Sequence, residues 1–276
     1  MVCAGATQDD PKDLTLLVMN PGFSLTDPES GLTSDSSDGW TFSYDDGSMA
    51  FRVSTGEFYN NQSFDIHQTL YGLAPGFYRL SCNAFYRDGD YRTAAGKHRR
   101  GEENLNAILY AGIEDSRTYT LIKSIIEDGQ PEPISSQNVN VADSLTTEEN
   151  PIEAWYIPNA MEDAVYAFGL DLYHNELQFE IKEGDKKINI GICKEQQTES
   201  NDWVTFDNFQ LFYYGNGSED NPTGIQNIGN NPIKIIHTTY YTIDGVRIAK
   251  PIQSGLYIRK DEFADGTVQT SKIIIK

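Results

Sequence analysis

The chain is poor in cysteine, histidine and positive charge, and each shortage excludes a class of protein. Its 276 residues contain three cysteines, which is too few for a disulfide framework. The histidines are scattered, without the spacing of metal ligands: His67, His98, His174 and His237. Lysine and arginine number 21 against 41 acidic residues, and the formal charge is −20. We therefore expect no binding to nucleic acid or anionic membrane, because both require a basic surface.

Long apolar runs and catalytic motifs are also missing. No run approaches the roughly 20 residues of a membrane helix, so direct membrane insertion is not expected. The sequence has no nucleophile elbow, phosphate loop or dinucleotide fingerprint. Asp65 and His67 share one strand face and could act as an acid–base pair, but a solvated strand pair is the commoner arrangement. The sequence therefore predicts a binding or structural protein rather than an enzyme.

Aromatic residues are abundant, with 16 tyrosines and 13 phenylalanines, and rings favour strands. Segments with a strand pattern recur between Gly, Pro and Asn turns: Leu14–Met19, Trp40–Tyr44, Met49–Val53, Phe64–Leu70, Phe77–Arg87, Leu105–Ala111, Tyr119–Ile126, Leu177–Lys182, Ile188–Cys193 and Trp203–Tyr214. They predict an all-β fold, a jelly-roll β-sandwich. One helix is predicted over Asn159–Gly169, capped by Asn159. The basic segment Arg87–Arg100 and the polar stretch Glu127–Glu153 are predicted to be loops.

Composition divides the chain into four segments. Residues 1–12 are expected to be a signal-peptide remnant or a disordered terminus, because Ala4-Gly5-Ala6 resembles a cleavage site. Residues 13–215 form the jelly roll, and the polar segment 216–232 is a predicted linker. Residues 233–276 carry 7 basic and 4 acidic residues, against the acidic excess elsewhere, and predict a small separate β unit.

Seven motifs in the larger segment carry a family resemblance. In chain order they are NPGF, GWTF, FDIHQTL, GLAPGFYRLSCNAFYR, YIPNAMEDAVYAF, INIGI and WVTFDNFQLFYYG. The order resembles the galactose-binding-like jelly-roll modules of secreted Bacteroidota proteins, which are similar in plan to carbohydrate-binding modules. The resemblance implies a glycan or polysaccharide as partner, although this fold hosts many functions.

The C-terminal segment carries a second resemblance. YYTIDGVRIAKPIQSGLYIRK, followed by TVQTSKIIIK, is similar to the C-terminal sorting domain of cargo for the type IX secretion system. That implies a small β-sandwich-like unit, passage through the periplasm of a Gram-negative bacterium, and contact with outer-membrane secretion machinery. The expected location is the cell surface or the medium. An ordinary small β unit is the alternative.

The stretch Gly72–Arg87 contains the first candidate site residues. At period two, Tyr78, Leu80, Cys82 and Ala84 share one face, which is the predicted core. The opposite face carries arginines and a large ring. Sugar binding combines flat rings with planar hydrogen-bonding groups. The candidate carbohydrate-binding residues on this face and in the loops are Phe85, Arg87, Tyr91, Arg92, Trp155 and Tyr156, whereas Trp40 and Trp203 are predicted to be core rings.

Asp207 and the cysteines leave alternatives open. In jelly-roll carbohydrate modules an acid at the position of Asp207 helps to hold a structural Ca²⁺, together with an acid that is replaced here by Ser24. Asp27 or Glu29 could substitute, since Ca²⁺ accepts flexible oxygen shells. A hydrogen-bonded Asp207 without metal is the alternative. Cys82 and Cys193 are predicted to be buried free thiols, with a single bridge between them as the other reading.

The sequence thus favours a secreted, non-catalytic glycan-binding module with a sorting domain. The rival reading is a structural or adhesive surface protein whose jelly roll binds another protein. A hydrolase with an unrecognised site is the third.

Overall fold

The computed structural model describes residues 5–113, 116–216, 235–242, 247–248, 255–263 and 268–275. Backbone contacts divide the chain into two units, Met1–Ile228 and Gly229–Lys276. The division falls inside the segment predicted to be a linker. None of the helices among the described residues combines the length and apolar character needed to cross a membrane.

The larger unit is built mainly from short antiparallel strands. They are β1 (Lys12–Asp13), β2 (Ser24–Thr26), β3 (Thr33–Asp35), β4 (Thr41–Asp45), β5 (Ser48–Arg52), β6 (Thr55–Tyr59), β7 (Ser63–Tyr71), β8 (Gly76–Arg87), β9 (Ala107–Gly112), β10 (Thr118–Leu121), β11 (Val139–Asn140), β12 (Tyr156–Ile157), β13 (His174–Ile181), β14 (Lys187–Lys194) and β15 (Trp203–Tyr213). Three α-helices join them: α1 (Tyr91–Arg100), α2 (Ala142–Leu145) and α3 (Met161–Gly169).

Two sheets form the sandwich, and the all-β fold class is confirmed. Sheet 1 has the strand order β13-β8-β15-β6-β5, with β1 added alongside β15. Sheet 2 has the order β10-β9-β14-β7-β4. Strands β8 and β15 are the longest in this unit and pair over most of their lengths, with one bulge between Asp207 and Gln210. Neighbouring strands are mostly distant in sequence, as in sandwich folds with crossover connections.

The main core lies between the sheets, where period-two alternation places apolar side chains inward. Tyr78, Leu80, Cys82 and Ala84 of β8 are each at most 1% exposed, which confirms the predicted inward face. Ile66 on β7 and Ile192 on β14 are fully buried on the facing sheet. Cys82 and Cys193 are free and buried, as predicted.

A second core covers the outer face of sheet 1 near the end of β8, and the sequence did not predict it. It gathers rings and aliphatic side chains from β8, β15, the three helices and the segment 122–173: Phe85, Ala95, Ile125, Ile126, Val141, Leu145, Ile157, Met161, Ala164, Ala167, Phe168, Tyr173 and Trp203. Phe85 meets Trp203 edge to face at 4.9 Å and Tyr173 at 5.0 Å. This end of β8 is therefore buried on both faces.

Four local predictions differ from the structure. The predicted strand Leu14–Met19 contains instead a 3-10 helix at Thr15–Leu17, and Leu16 is 99% exposed. The predicted basic loop contains helix α1, which begins after the Asp90 cap and ends at Gly101 in the left-handed region. Helix α3 is capped at Ala160 rather than at Asn159. Lys12 pairs with Tyr213, so the expected disordered terminus is partly structured.

The polar stretch 127–153, predicted to be a loop, contains β11 and helix α2 and folds back onto β12. Its segments lie close to α1 and close one side of the second core. This stretch lacks a strong hydrophobic periodicity. Its order therefore comes from tertiary contacts rather than from its own helix or strand propensity.

The described residues of the smaller unit form one sheet of four antiparallel strands. They are β16 (Ile235–Thr242), β17 (Arg247–Ile248), β18 (Gly255–Phe263) and β19 (Val268–Ile275), in the order β17-β16-β18-β19. The sequence predicts four strands in this unit, and all of them overlap these: Ile233–Tyr241, Val246–Ala249, Gly255–Arg259 and Ser271–Lys276. The two predicted Asp-Gly turns, at 244–245 and 265–266, lie outside the described residues.

Leu80 provides a test of the core assignment. Leu80→Ala should lower the free energy of unfolding by roughly 2–5 kcal/mol, because a fully buried leucine leaves a cavity. Leu121→Ala is the matched control, since that side chain is 53% exposed and should change stability by less than about 0.5 kcal/mol. Urea unfolding followed by tryptophan fluorescence measures both. Equal effects of the two substitutions would contradict the packing described here.

Candidate functional site

Phe85 and Arg87 do not form the ligand surface that the strand pattern predicted. Phe85 is 0% exposed in the second core, so its ring is not accessible to a sugar. Arg87 is 7% exposed, and each of the three nitrogens of its guanidinium donates a hydrogen bond. Its nitrogens donate to Gly89 O at 3.0 Å, Asn159 Oδ1 at 3.0 Å and Asn201 O at 3.3 Å. The alternation identified the outer face correctly, but not the layer that covers it.

The remaining candidates lie in different places around this layer. Tyr91 is half-buried in the first turn of α1, and the exposed Arg92 guanidinium stacks over its ring at 5.0 Å. Tyr156 lies in β12, where its backbone pairs with Asn140 and Gln130. Trp155 is half-buried and borders a groove. Neither Arg87 nor Tyr91 lines that groove, so Trp155 is the one predicted residue that reaches it.

The groove has a volume of about 500 Å³ and lies on the outer side of the helical layer. Three segments form its walls: the end of α1, residues 126–127, and the chain from α2 to Trp155. Its lining combines one large ring with aliphatic and polar side chains: His98, Arg99, Ile126, Glu127, Leu145, Thr147, Asn150, Ile152 and Trp155. Its volume is within the range of small-ligand sites, roughly 300–1,000 Å³.

Trp155 is fixed at its polar edge. The indole Nε1 donates to Ile126 O at 2.9 Å, and the backbone nitrogen donates to Asn140 Oδ1 at 3.1 Å. The indole also lies against Gly129, where an added Cβ would overlap Nε1. Any side chain at residue 129 would therefore displace the ring. The contacts hold the indole at a defined angle beside the groove.

His98 stands on the opposite wall within a charged pair. Its Nδ1 is 2.6 Å from Glu103 Oε2, and this hydrogen bond raises the pKa of the imidazole above its ordinary value despite partial burial. Arg99, exposed at the next position, donates to Thr146 O at 3.1 Å. Among the described residues, no carboxylate lies within salt-bridge distance of Arg99. The imidazole and guanidinium are thus both planar donors beside the ring.

The α2–β12 connection closes the groove with a tight polar turn. Thr147 N donates to Asn150 O at 3.1 Å and Asn150 N donates to Thr147 Oγ1 at 3.0 Å. The Asn150 side chain is exposed and makes no hydrogen bond among the described residues. Sequence reasoning missed His98, Arg99 and Asn150. The sequence did contain a signal for the helix that carries His98 and Arg99. Asp90 is a typical N-cap residue, and Gly101 is a typical residue at a helix C-terminus.

Similarity to known proteins is found among solved structures. A scan against protein-family models finds no match, and a search of curated proteins finds none either. Among solved structures, the chain is similar to the carbohydrate-binding module TmCBM61 in complex with beta-1,4-galactotriose, with 14% sequence identity and a TM-score of 0.33. The match covers 71% of this chain and 97% of that one. A ligand for this chain must therefore be argued from its own residues.

The Asp65–His67 pair lies on the outer face of sheet 2. Asp65 binds His67 Nδ1, accepts the Tyr110 hydroxyl at 2.8 Å and lies 3.7 Å from Arg117. Arg117 stacks over the Tyr110 ring at 4.2 Å. The Asp65 carboxylate thus accepts from His67 and Tyr110 and lies near Arg117. These contacts account for the Asp65–His67 pair by a structural role. No group of three or more His, Cys, Asp or Glu side chains gathers as a metal site in the described part of the chain.

Asp207 is a half-buried carboxylate beside the turn at Asn20–Gly22. Its Oδ1 accepts Asn208 N at 2.6 Å, and burial raises its pKa to about 7. Asn20 Oδ1, in the turn, is buried without a hydrogen-bond partner. Ca²⁺ takes roughly six to eight oxygens, usually with several carboxylates, whereas one carboxylate is described here. The structural calcium therefore stays a prediction.

Asp27 and Glu29 are the two acids that could take the place of Ser24 as a calcium ligand. Asp27 Oδ1 accepts Glu29 N at 2.7 Å and Ser30 N at 2.9 Å, and these bonds lower the pKa of Asp27. Asp27 thus organises the turn between β2 and β3. Glu29 is exposed in the same turn.

Asp207 yields a pH-dependent prediction. Its pKa is higher in the folded chain than in the unfolded chain, so its contribution favours folding at low pH and is lost as pH rises through about 7. Asp207→Asn should therefore raise the melting temperature at pH 8 in EDTA, with no gain at pH 4. Asp38→Asn, at an exposed site, is the control. If Ca²⁺ raises the melting temperature of the original protein and not of Asp207→Asn, the carboxylate holds metal instead.

Proposed function

We propose that the larger unit is a non-catalytic module that binds a neutral glycan in the Trp155 groove. The observation that carries the proposal is the combination of a half-exposed indole, aliphatic neighbours and planar hydrogen-bonding side chains around one concavity of about 500 Å³. A pyranose presents an apolar face to a ring and hydroxyls to surrounding donors and acceptors. The groove offers an indole and hydrogen-bonding side chains within one concavity.

Charge supports a neutral ligand. Arg99 and Glu127 line the same groove, so opposite charges offset each other within it. The imidazole of His98 is likewise balanced by Glu103. The formal charge of −20 repels anionic polysaccharides at long range. Donors and acceptors remain for hydroxyl groups, without an excess of either sign.

We further propose that the protein is exported to the cell surface or medium of a Gram-negative bacterium of the Bacteroidota. The support is the resemblance of the C-terminal segment to a type IX sorting domain. Outer-membrane secretion machinery is its proposed partner, with passage through the periplasm. A structural Ca²⁺ at Asp207 belongs to the same set of proposals and depends on the galactose-binding-like resemblance.

Trp155 and Asn150 provide the binding test. Trp155→Ala should weaken glycan binding by about 1–3 kcal/mol, the apolar contact of a stacked ring. Because the indole also binds Ile126 O, this variant should melt at a lower temperature as well. Asn150→Ala should weaken binding by about 0.5–1.5 kcal/mol without lowering the melting temperature, since its side chain is exposed. A glycan array followed by calorimetry on the best ligand measures both.

Tyr166→Ala is the matched control for these variants. That ring is 60% exposed on α3 and does not line the groove, so affinity should not change. Binding that survives both groove substitutions but is lost with Tyr166→Ala would place the site elsewhere. Capture of a surface protein, with no glycan bound, would favour the adhesive reading.

The export proposal is tested in the native host. Deleting residues 233–276 should leave the larger unit folded but retained in the periplasm, because the sorting signal is lost. Cell fractionation and immunoblotting report the location, with the full chain as control. Normal appearance of the shortened protein outside the cell would contradict the sorting role.

A further inference from the structure

We infer that His98 is a positioning residue for Trp155 and that its protonation couples glycan affinity to pH. The inference rests on the proposed glycan function of the groove, and it concerns how that groove is held. A continuous chain of hydrogen bonds runs from the imidazole on one wall to the indole on the other. The chain passes through Glu103, Ser124 and Ile126.

The first half of the chain is a carboxylate shared by two donors. Glu103 follows α1 and is 12% exposed, and its Oε2 lies 2.6 Å from His98 Nδ1. Its other oxygen, Oε1, accepts the hydroxyl of Ser124 in a short hydrogen bond. Ser124 is 0% exposed, so water does not readily replace its hydrogen bond to Glu103. Glu103 therefore ties helix α1 to the segment that carries Ser124.

The second half leads from Ser124 to the ring. Ser124 Oγ accepts Ile126 N at 3.1 Å, and Ile126 O accepts the Trp155 indole at 2.9 Å. Ser124 N also donates to Glu127 Oε1 at 3.3 Å, which fixes a second lining side chain. Ile126 is 2% exposed and its backbone cannot shift freely within the second core. A change in the Glu103–Ser124 bond is thus transmitted to the indole and to Glu127.

His98 is the titrating end of this chain. Facing it from other segments are the carboxylates of Glu103 and Glu127, and both favour the charged imidazole. The cations on its own helix are occupied elsewhere: Arg92 by the Tyr91 ring, Lys97 by Asp88 and Glu199, Arg99 by Thr146 O, and Arg100 by Glu102. On the α2–β12 wall, the polar lining residues Thr147 and Asn150 do not titrate. The carboxylates in the same connection, Glu148, Glu149 and Glu153, are exposed and do not line the groove.

The sign of the pH effect follows from the raised pKa of His98. Below that pKa the imidazolium makes a charge-assisted bond to Glu103, which is stronger than a neutral one. As pH rises through the pKa the charge is lost, and the bond from His98 to Glu103 weakens to a neutral one, while the Ser124 bond remains. The α1 wall then loosens against the segment carrying Ile126, and glycan affinity falls. We expect Kd to rise on the order of tenfold between about pH 5.5 and about pH 8.5.

The experiment measures Kd for the best array glycan across this pH range in the full chain. His98→Gln keeps a donor for Glu103 but cannot titrate, so its profile should be flat. His174→Gln is the matched control, because His174 also faces carboxylates, at 3.6 Å and 3.9 Å, but does not line the groove. Its profile should follow that of the original protein.

A second measurement needs no glycan. Trp40 and Trp203 are 7% and 4% exposed, so acrylamide quenching of fluorescence reports mainly on Trp155. Quenching of Trp155 should increase as pH rises through the pKa of His98. In His98→Gln it should be independent of pH. Equal quenching and equal Kd at both ends of the pH range would overturn the inference. If quenching depends on pH but the array yields no glycan ligand, the hydrogen-bond chain is supported and the proposed function is contradicted.

Discussion

Burial of the end of β8 on both faces is the constraint on which the rest of the larger unit depends. Its inward side chains fill the sandwich, while Phe85 and Arg87 face outward into a second core. An outward arginine at this depth is costly unless its donors are satisfied. Gly89, Asn159 and Asn201 supply the acceptors, and Trp203 lies 5.0 Å beneath the guanidinium. The helical layer must therefore take the path that brings Asn159 to Arg87, and the groove forms on the outer side of that path.

A buried ion pair fixes the same end of the sandwich from the other sheet. Lys194 and Asp202 are 2% and 1% exposed and bind each other directly. Asp202 also accepts the Tyr86 hydroxyl at 3.0 Å and the Gln197 amide at 2.9 Å. Removing one partner would leave an uncompensated buried charge, which is usually more costly than the pair is stabilising. The pair fixes where β14 ends and β15 begins, and thus where Asn201 meets Arg87.

Period-two alternation was sufficient to predict most strands of the two sheets and the main core, because an inward face of a sandwich requires apolar side chains at every second position. It correctly placed Leu80 inward, and it correctly separated Arg87 from that face. It could not predict that an outward face would be covered, because the covering residues are spread over segments with weak local patterns. Tyr91 and Trp155 were predicted to be loop residues. Tyr91 lies in helix α1, and Trp155 contacts both the groove and the second core. The signal for α1 was local, at Asp90 and Gly101, but the basic composition of the helix obscured it.

The groove shows why binding residues were harder to predict than core residues. A core position is defined by a repeating pattern within one segment, whereas His98, Glu127 and Asn150 meet only because three separate segments pack on the second core. Of the rings that the sequence selects for sugar contact, only Trp155 lines the groove, because Tyr91 lies at the other end of α1 from His98. The indole lines the groove and also packs against the second core, as do Ile126, Leu145 and Ile152. Stability and recognition therefore share this residue, and a substitution there alters both, whereas Asn150 reports on recognition alone.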